Sequence, residues 1–122
     1  MRYAFLCYDN ETVVGAWTKE QDAAVMEKHF ATQRPLEADG RLKASLRLMP
    51  TTAATTVRPG EESLVVDGPF AETKEQLLGF WLADCETYDD ALEFARKLAN
   101  VKSHGAIEIR PVHYEHEIGQ TG

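Results

Sequence analysis

Apolar positions along the chain follow two rhythms, one of period two and one near three and a half, separated by polar breaks that set element boundaries. Tyr3 to Tyr8 is an apolar run of strand length. A polar stretch through Asn10 and Gly15 follows, and Thr18-Lys19-Glu20-Gln21 then spells a capping box that starts a helix. Ala23, Met26 and Phe30 recur at helical spacing, with Ala24 and Val25 widening the stripe. Pro35 should kink or break this helix near Gln33 and Arg34, because proline lacks an N–H and crowds the carbonyl four residues back. Asp39-Gly40 ends the segment.

Leu42 to Met49 alternates, with Leu42, Ala44, Leu46 and Leu48 on one side and Lys43, Ser45, Arg47 and Met49 on the other. Thr55 to Arg58 and Ser63 to Val66 flank Pro59-Gly60 and predict a hairpin. Leu77 to Ala83 reads as a buried strand, and Thr87 caps a second helix with Ala91, Phe94, Ala95 and Leu98 on its inner stripe. Gly105 precedes a last strand, Ala106 to Val112, and a polar tail begins at His113.

This order predicts an α+β fold, a ferredoxin-like βαββαβ domain with an extra β-hairpin. Neighbouring strands are then antiparallel and both helices cover one sheet face. With the leucines and isoleucines on the helices, the open face carries Lys43, Ser45, Arg47, Glu108 and Arg110 beside an aromatic, Trp81 or Phe80. A face so mixed is rarely left bare. Two of them packed together would form a homodimer and enclose a partly polar cavity.

At 122 residues the chain is one domain, 1–122, able to bury a core without staples. Its apolar share of 43% and charged share of 27% are those of a globular protein. A net charge of −7 argues against nucleic acid and against an anionic membrane surface. No apolar run approaches the ~20 residues of a membrane helix, and the N-terminus reads as a strand rather than a signal peptide. Cys7 and Cys85 lack metal-type spacing and fall at opposite ends of neighbouring strands, so they should be free thiols in a cytoplasmic protein.

The run Asp67-Gly68-Pro69-Phe70-Ala71-Glu72-Thr73-Lys74-Glu75, followed by Leu77-Leu78-Gly79-Phe80-Trp81, resembles the YCII-related family in its DGPF-domain subgroup. Arg2 to Leu6, Ala54 to Arg58 and Ile107 to Val112 extend the resemblance over nearly the whole chain. It implies a dimeric α+β barrel and no known reaction, with some relatives associated with extracytoplasmic-function sigma factors. It also implies a first-helix histidine, matched by His29, and an aspartate working with it.

Asp67, at a strand end before Gly-Pro, is a candidate general base, or alternatively a cap on its own turn. His29 is the second candidate for acid–base work, or a helix-edge packing residue beside the apolar stripe. Arg47, Arg58 and Arg110 are candidates to clamp a carboxylate, with an internal pair to Glu108 as the structural alternative for Arg110. Lys74 could meet an anionic group, and Trp81 could line the cavity. His113 and His116 form a His-x-x-His without further ligands at fixed spacing, so no metal and no cofactor are expected. Two function classes follow: a small-molecule protein using the cavity, with acid–base chemistry through Asp67 and His29, or an accessory or regulatory interaction protein whose DGPF loop meets a partner.

Overall fold

In the computed structural model, which describes residues 1–60 and 64–116, the first strand β1 (Arg2–Asp9) leads into a short helix α1 (Glu11–Gly15) and a long helix α2 (Lys19–Ala38). Asn10 caps α1 by accepting from the N–H groups of Thr12 and Val13. The capping box of α2 forms reciprocally: Gln21 N–H donates to Thr18 Oγ1 at 3.1 Å, and Thr18 N–H donates to Gln21 Oε1 at 2.9 Å.

Strand β2 (Leu42–Arg47) and a single 3-10 turn (Thr51–Ala53) come next, then β3 (Thr55–Arg58), β4 (Leu64–Asp67) and β5 (Gln76–Asp84). Helix α3 (Tyr88–Ala99) and strand β6 (Ala106–Pro111) complete the elements. The main sheet has the order β2-β5-β1-β6 with every pairing antiparallel. That is the ferredoxin-like arrangement, an α+β fold. Among the described residues, strands β3 and β4 pair only with each other, as the extra hairpin. Its predicted turn runs into residues 61–63, and the tail beyond residue 116 likewise lies outside the described residues.

The core fills the layer between sheet and helices. Tyr3, Phe5 and Cys7 of β1 and Trp81 and Ala83 of β5 point into it, and α3 contributes Ala91, Phe94, Ala95 and Leu98, the stripe its periodicity predicts. Phe5 meets Phe94 edge to face at 5.0 Å between centroids. Ile107 and Ile109 pack on this core, leaving Glu108 and Arg110 on the opposite side. Cys7 and Cys85 are both buried and free.

Three expectations are corrected. Helix α2 is not broken at Pro35 and runs on to Ala38, because proline forfeits only the bond to the Ala31 carbonyl and both residues are exposed to water. Its buried face is not the Ala23–Met26–Phe30 stripe. His29, Gln33 and Leu36 are buried, while Ala23 and Ala24 are exposed and Phe30 is 42% exposed.

The third correction is in β2. The register against β5 shifts between Leu42 and Ala44, a bulge at Lys43. A one-residue insertion flips every later side chain to the other face. Leu42 therefore packs on the core, whereas Ala44 and Leu46 pair with Leu82 and Phe80 on the open face, and Ser45 pairs with Trp81. Ser45 and Arg47 turn toward α2 rather than the open face, and Trp81 is buried beneath them. The open face is consequently more apolar than expected. Among the described residues, no helix is long and apolar enough to cross a membrane.

Candidate functional site

The inner face of α2 carries polar side chains because a cavity, not a packed core, lies under it. This cavity has a volume of about 290 Å³ and is walled by α2, by β2 and β5, and by the loop before β6. Asp22, His29 and Gln33 come from α2, Ser45 and Arg47 from β2, Gly79 and Trp81 from β5, and Lys102 from the loop. Gly79 is the close approach that lets β2 sit against β5 here, since a Cβ would collide with the carbonyl oxygen of Leu46.

His29 is 7% exposed, and its Nδ1 has no hydrogen-bond partner among the described residues. Its ring stands 5.1 Å from the Trp81 ring at a 52° tilt. Burial, reinforced by the positive charges of Lys102 and Arg47, depresses its pKa to about 4, so the imidazole is neutral at physiological pH. A buried, neutral, unpartnered imidazole can accept a proton or a hydrogen bond from a bound molecule.

Gln33 is held by two donors at one atom. Trp81 Nε1–H donates to Gln33 Oε1 at 3.0 Å, and Ser45 Oγ donates to the same oxygen at 2.9 Å. An indole N–H can only donate, so these bonds fix which way the amide points and leave its NH₂ without a partner among the described residues. Arg47 grips Asp22 bidentately at 2.8 and 3.0 Å, tying the end of β2 to the first turn of α2. That bond holds Asp22 below its ordinary value.

At the other end Lys102 Nζ donates to Asp9 Oδ2 at 2.6 Å, with side chains only 8% and 3% exposed. His104 Nδ1 lies 2.9 and 3.0 Å from the two carboxylate oxygens, so it carries the proton and donates. Burial alone would raise the Asp9 pKa; the bonds from Lys102, His104 and the Asn10 N–H prevail and hold it below its ordinary value. Gly105, at φ 85°, gives the loop a left-handed turn against Asp9, where a Cβ would meet the Tyr8 carbonyl at 2.7 Å. Cys7 also lines the cavity, and burial pushes its thiol up, so it stays protonated.

Residues 1–115 match the family model described as the YCII-related domain. The chain belongs to the YCII-related family. An uncharacterized protein of Rhizobium meliloti strain 1021 is 54% identical to it over 114 residues, covering 92% of each chain.

In this YCII-related chain, three of the residues singled out from the sequence, His29, Arg47 and Trp81, meet in the cavity. The others do not join them. Asp67 is exposed in the β3–β4 hairpin, and its side chain has no hydrogen bond among the described residues. Arg58 lies over the Phe70 ring at 4.8 Å. Lys74 borders a separate polar depression with Asn10, Glu11 and Thr51. Arg110 is exposed on the open sheet face, while Glu108 accepts from the Tyr8 hydroxyl at 3.2 Å. The expected cavity between two open faces is thus distinct from the cavity under α2, which lies on the helical side.

Sequence reasoning missed Asp9, Asp22, Gln33 and Lys102. For α2 a signal existed, because Asp22, His29 and Gln33 are seven and four residues apart and so share one helical face. Lys102, in a loop remote from all of them in sequence, had no local signal.

Proposed function

We propose that this YCII-related protein binds a small molecule in the cavity under α2 and that His29 exchanges a proton with it. The observation carrying this reading is His29, a buried imidazole that lines the cavity and whose Nδ1 has no partner among the described residues. A native buried polar atom without a partner calls for an explanation, and a ligand hydrogen bond supplies one. The volume lies at the small end of ligand sites, which fits a metabolite. The test is a thermal-shift screen of a metabolite library against the wild type and His29→Leu. Ligands that raise the wild-type midpoint should lose that effect in the variant, which stays folded because leucine suits a buried position. A variant retaining every ligand shift sinks the role of His29.

A second reading, an accessory or regulatory interaction protein, is favoured by the β3–β4 hairpin. Val57, Val65 and Phe70 are 62%, 61% and 72% exposed there, and a two-stranded hairpin is marginal alone. A library that shifts nothing in the wild type would favour it. The run Asp67-Gly68-Pro69-Phe70 supports membership of the DGPF subgroup, and the two free thiols support a cytoplasmic address.

We also infer a homodimer through the open sheet face, where Leu6, Leu46, Phe80 and Leu82 present an apolar surface next to Glu108 and Arg110. Light scattering at micromolar concentration should give twice the chain mass of 13.7 kDa, and Leu82→Lys should halve it. A monomer mass for the wild type rejects the dimer.

A further inference from the structure

The donors left over in the cavity say what kind of molecule belongs there, an inference that rests on the small-molecule reading above. The Lys102 ammonium has three N–H donors, and among the described residues Asp9 is its one acceptor. Its side chain is more than nine-tenths buried and lines the cavity, so water has little access to the remaining donors. The Gln33 amide is the second case. Both bonds from Trp81 and Ser45 go to its oxygen, which leaves its NH₂ as a free donor pair.

Acceptors on the wall are fewer. The Gln33 oxygen is doubly occupied, and the Asp22 carboxylate is engaged by both terminal nitrogens of Arg47. Asp9 stands behind Lys102 and does not line the cavity. The lining side chains therefore comprise two cations and one already paired carboxylate, together with a neutral imidazole. Between them Trp17, Trp81, Met26 and Phe30 supply aromatic and apolar walls.

We propose that the ligand is a small aromatic or conjugated carboxylate, its carboxylate oxygens taking the spare donors of Lys102 and Gln33 and its ring lying against Trp81. A hydroxyl elsewhere on the ring then reaches the His29 imidazole at the cavity wall. Lys102 sets specificity for the anion, since a charge-assisted bond in a water-poor site is stronger than a neutral one. A neutral amide of the same shape presents one acceptor and two donors, and those donors face a wall already rich in donors.

The experiment titrates the full chain with benzoate, 4-hydroxybenzoate and 2-furoate, and with the corresponding primary amides, by calorimetry and thermal shift. The carboxylates should bind about tenfold or more tightly than their amides, the size of one charge-assisted bond. Lys102→Gln, which keeps a donor for Asp9 but removes the charge, should erase that preference. Amides binding as tightly as acids overturn the inference while leaving the cavity reading intact. A preference that survives in Lys102→Gln overturns the role of Lys102. No shift from either panel, alongside His29-dependent shifts in the metabolite screen, overturns the ligand class alone; no shifts in either experiment overturn both readings. The acid–amide comparison needs only the wild type, so it stands even if the variant does not fold.

Discussion

Asp9→Asn should destabilise the protein by about 3–5 kcal/mol, the magnitude found when one member of a buried ion pair is removed. The reason lies less in the lost attraction than in what remains. The Lys102 side chain, only 8% exposed, then faces a neutral amide whose single oxygen must serve both Lys102 and His104, and whose NH₂ adds a donor where a carboxylate oxygen accepted. Replacing both members, as Asp9→Leu with Lys102→Met, should recover most of the loss, because an apolar pair leaves no orphaned charge. Urea denaturation of the wild type, Asp9→Asn and the double variant measures both effects. A single-variant loss below about 1 kcal/mol would show that the pair is solvated and worth no more than a surface bridge. The sign with pH follows from the depressed carboxyl. Stability from Asp9 is present above the unfolded value of about 4 and lost as pH falls through the lower folded value.

A second loss should occur at higher pH and belong to His29. Its folded pKa of about 4 lies below the ordinary value of 6.5, chiefly through burial and then through Lys102 and Arg47. Between those values the unfolded chain takes up a proton that the folded chain refuses. Stability should be full above pH 6.5 and fall by about 3 kcal/mol as pH drops to 4. His29→Leu should flatten this window while leaving the acid loss from Asp9 below it. Denaturation midpoints at pH 7 and pH 4.5 separate the two. If the variant shows the wild-type slope, His29 is already protonated or solvated in the native state, and its role as a neutral acceptor fails.

The fold was legible because strand and helix periods matched their burial wherever packing alone decides. Helix α3 shows this: its period places Ala91, Phe94, Ala95 and Leu98 inward, and all four are buried. The capping box at Thr18 and the β3–β4 hairpin were equally plain. The failures cluster around the cavity. In α2 the face toward the cavity mixes Asp22, His29 and Gln33 with Val25, Met26 and Phe30, so the apolar stripe marks only part of it. In β2 one extra residue at Lys43 inverts the alternation, so the simple pattern puts Arg47 on the face it does not occupy. His29 and Trp81 could be named as candidates by residue type. Their meeting with Lys102 depends on pairings far apart in sequence, which no local pattern encodes.

Those distant pairings also fix when the cavity can exist. The bond from Lys102 to Asp9 joins residues 93 positions apart, and Lys102 follows α3 in the chain. During synthesis β1, α2, β2 and β5 emerge and can begin to pair while the residue that closes the cavity has not yet been made. Until then Asp9 has no ammonium to meet and no reason to leave water, and β1 has one open edge where β6 will lie. In the interval α2 is held by its caps, by Leu36 and by the bonds of Asp22 and Gln33 to β2 and β5. A nascent chain halted before residue 102 would present an unfinished sheet edge to its neighbours, and the cavity wall would be complete only once Lys102 is in place.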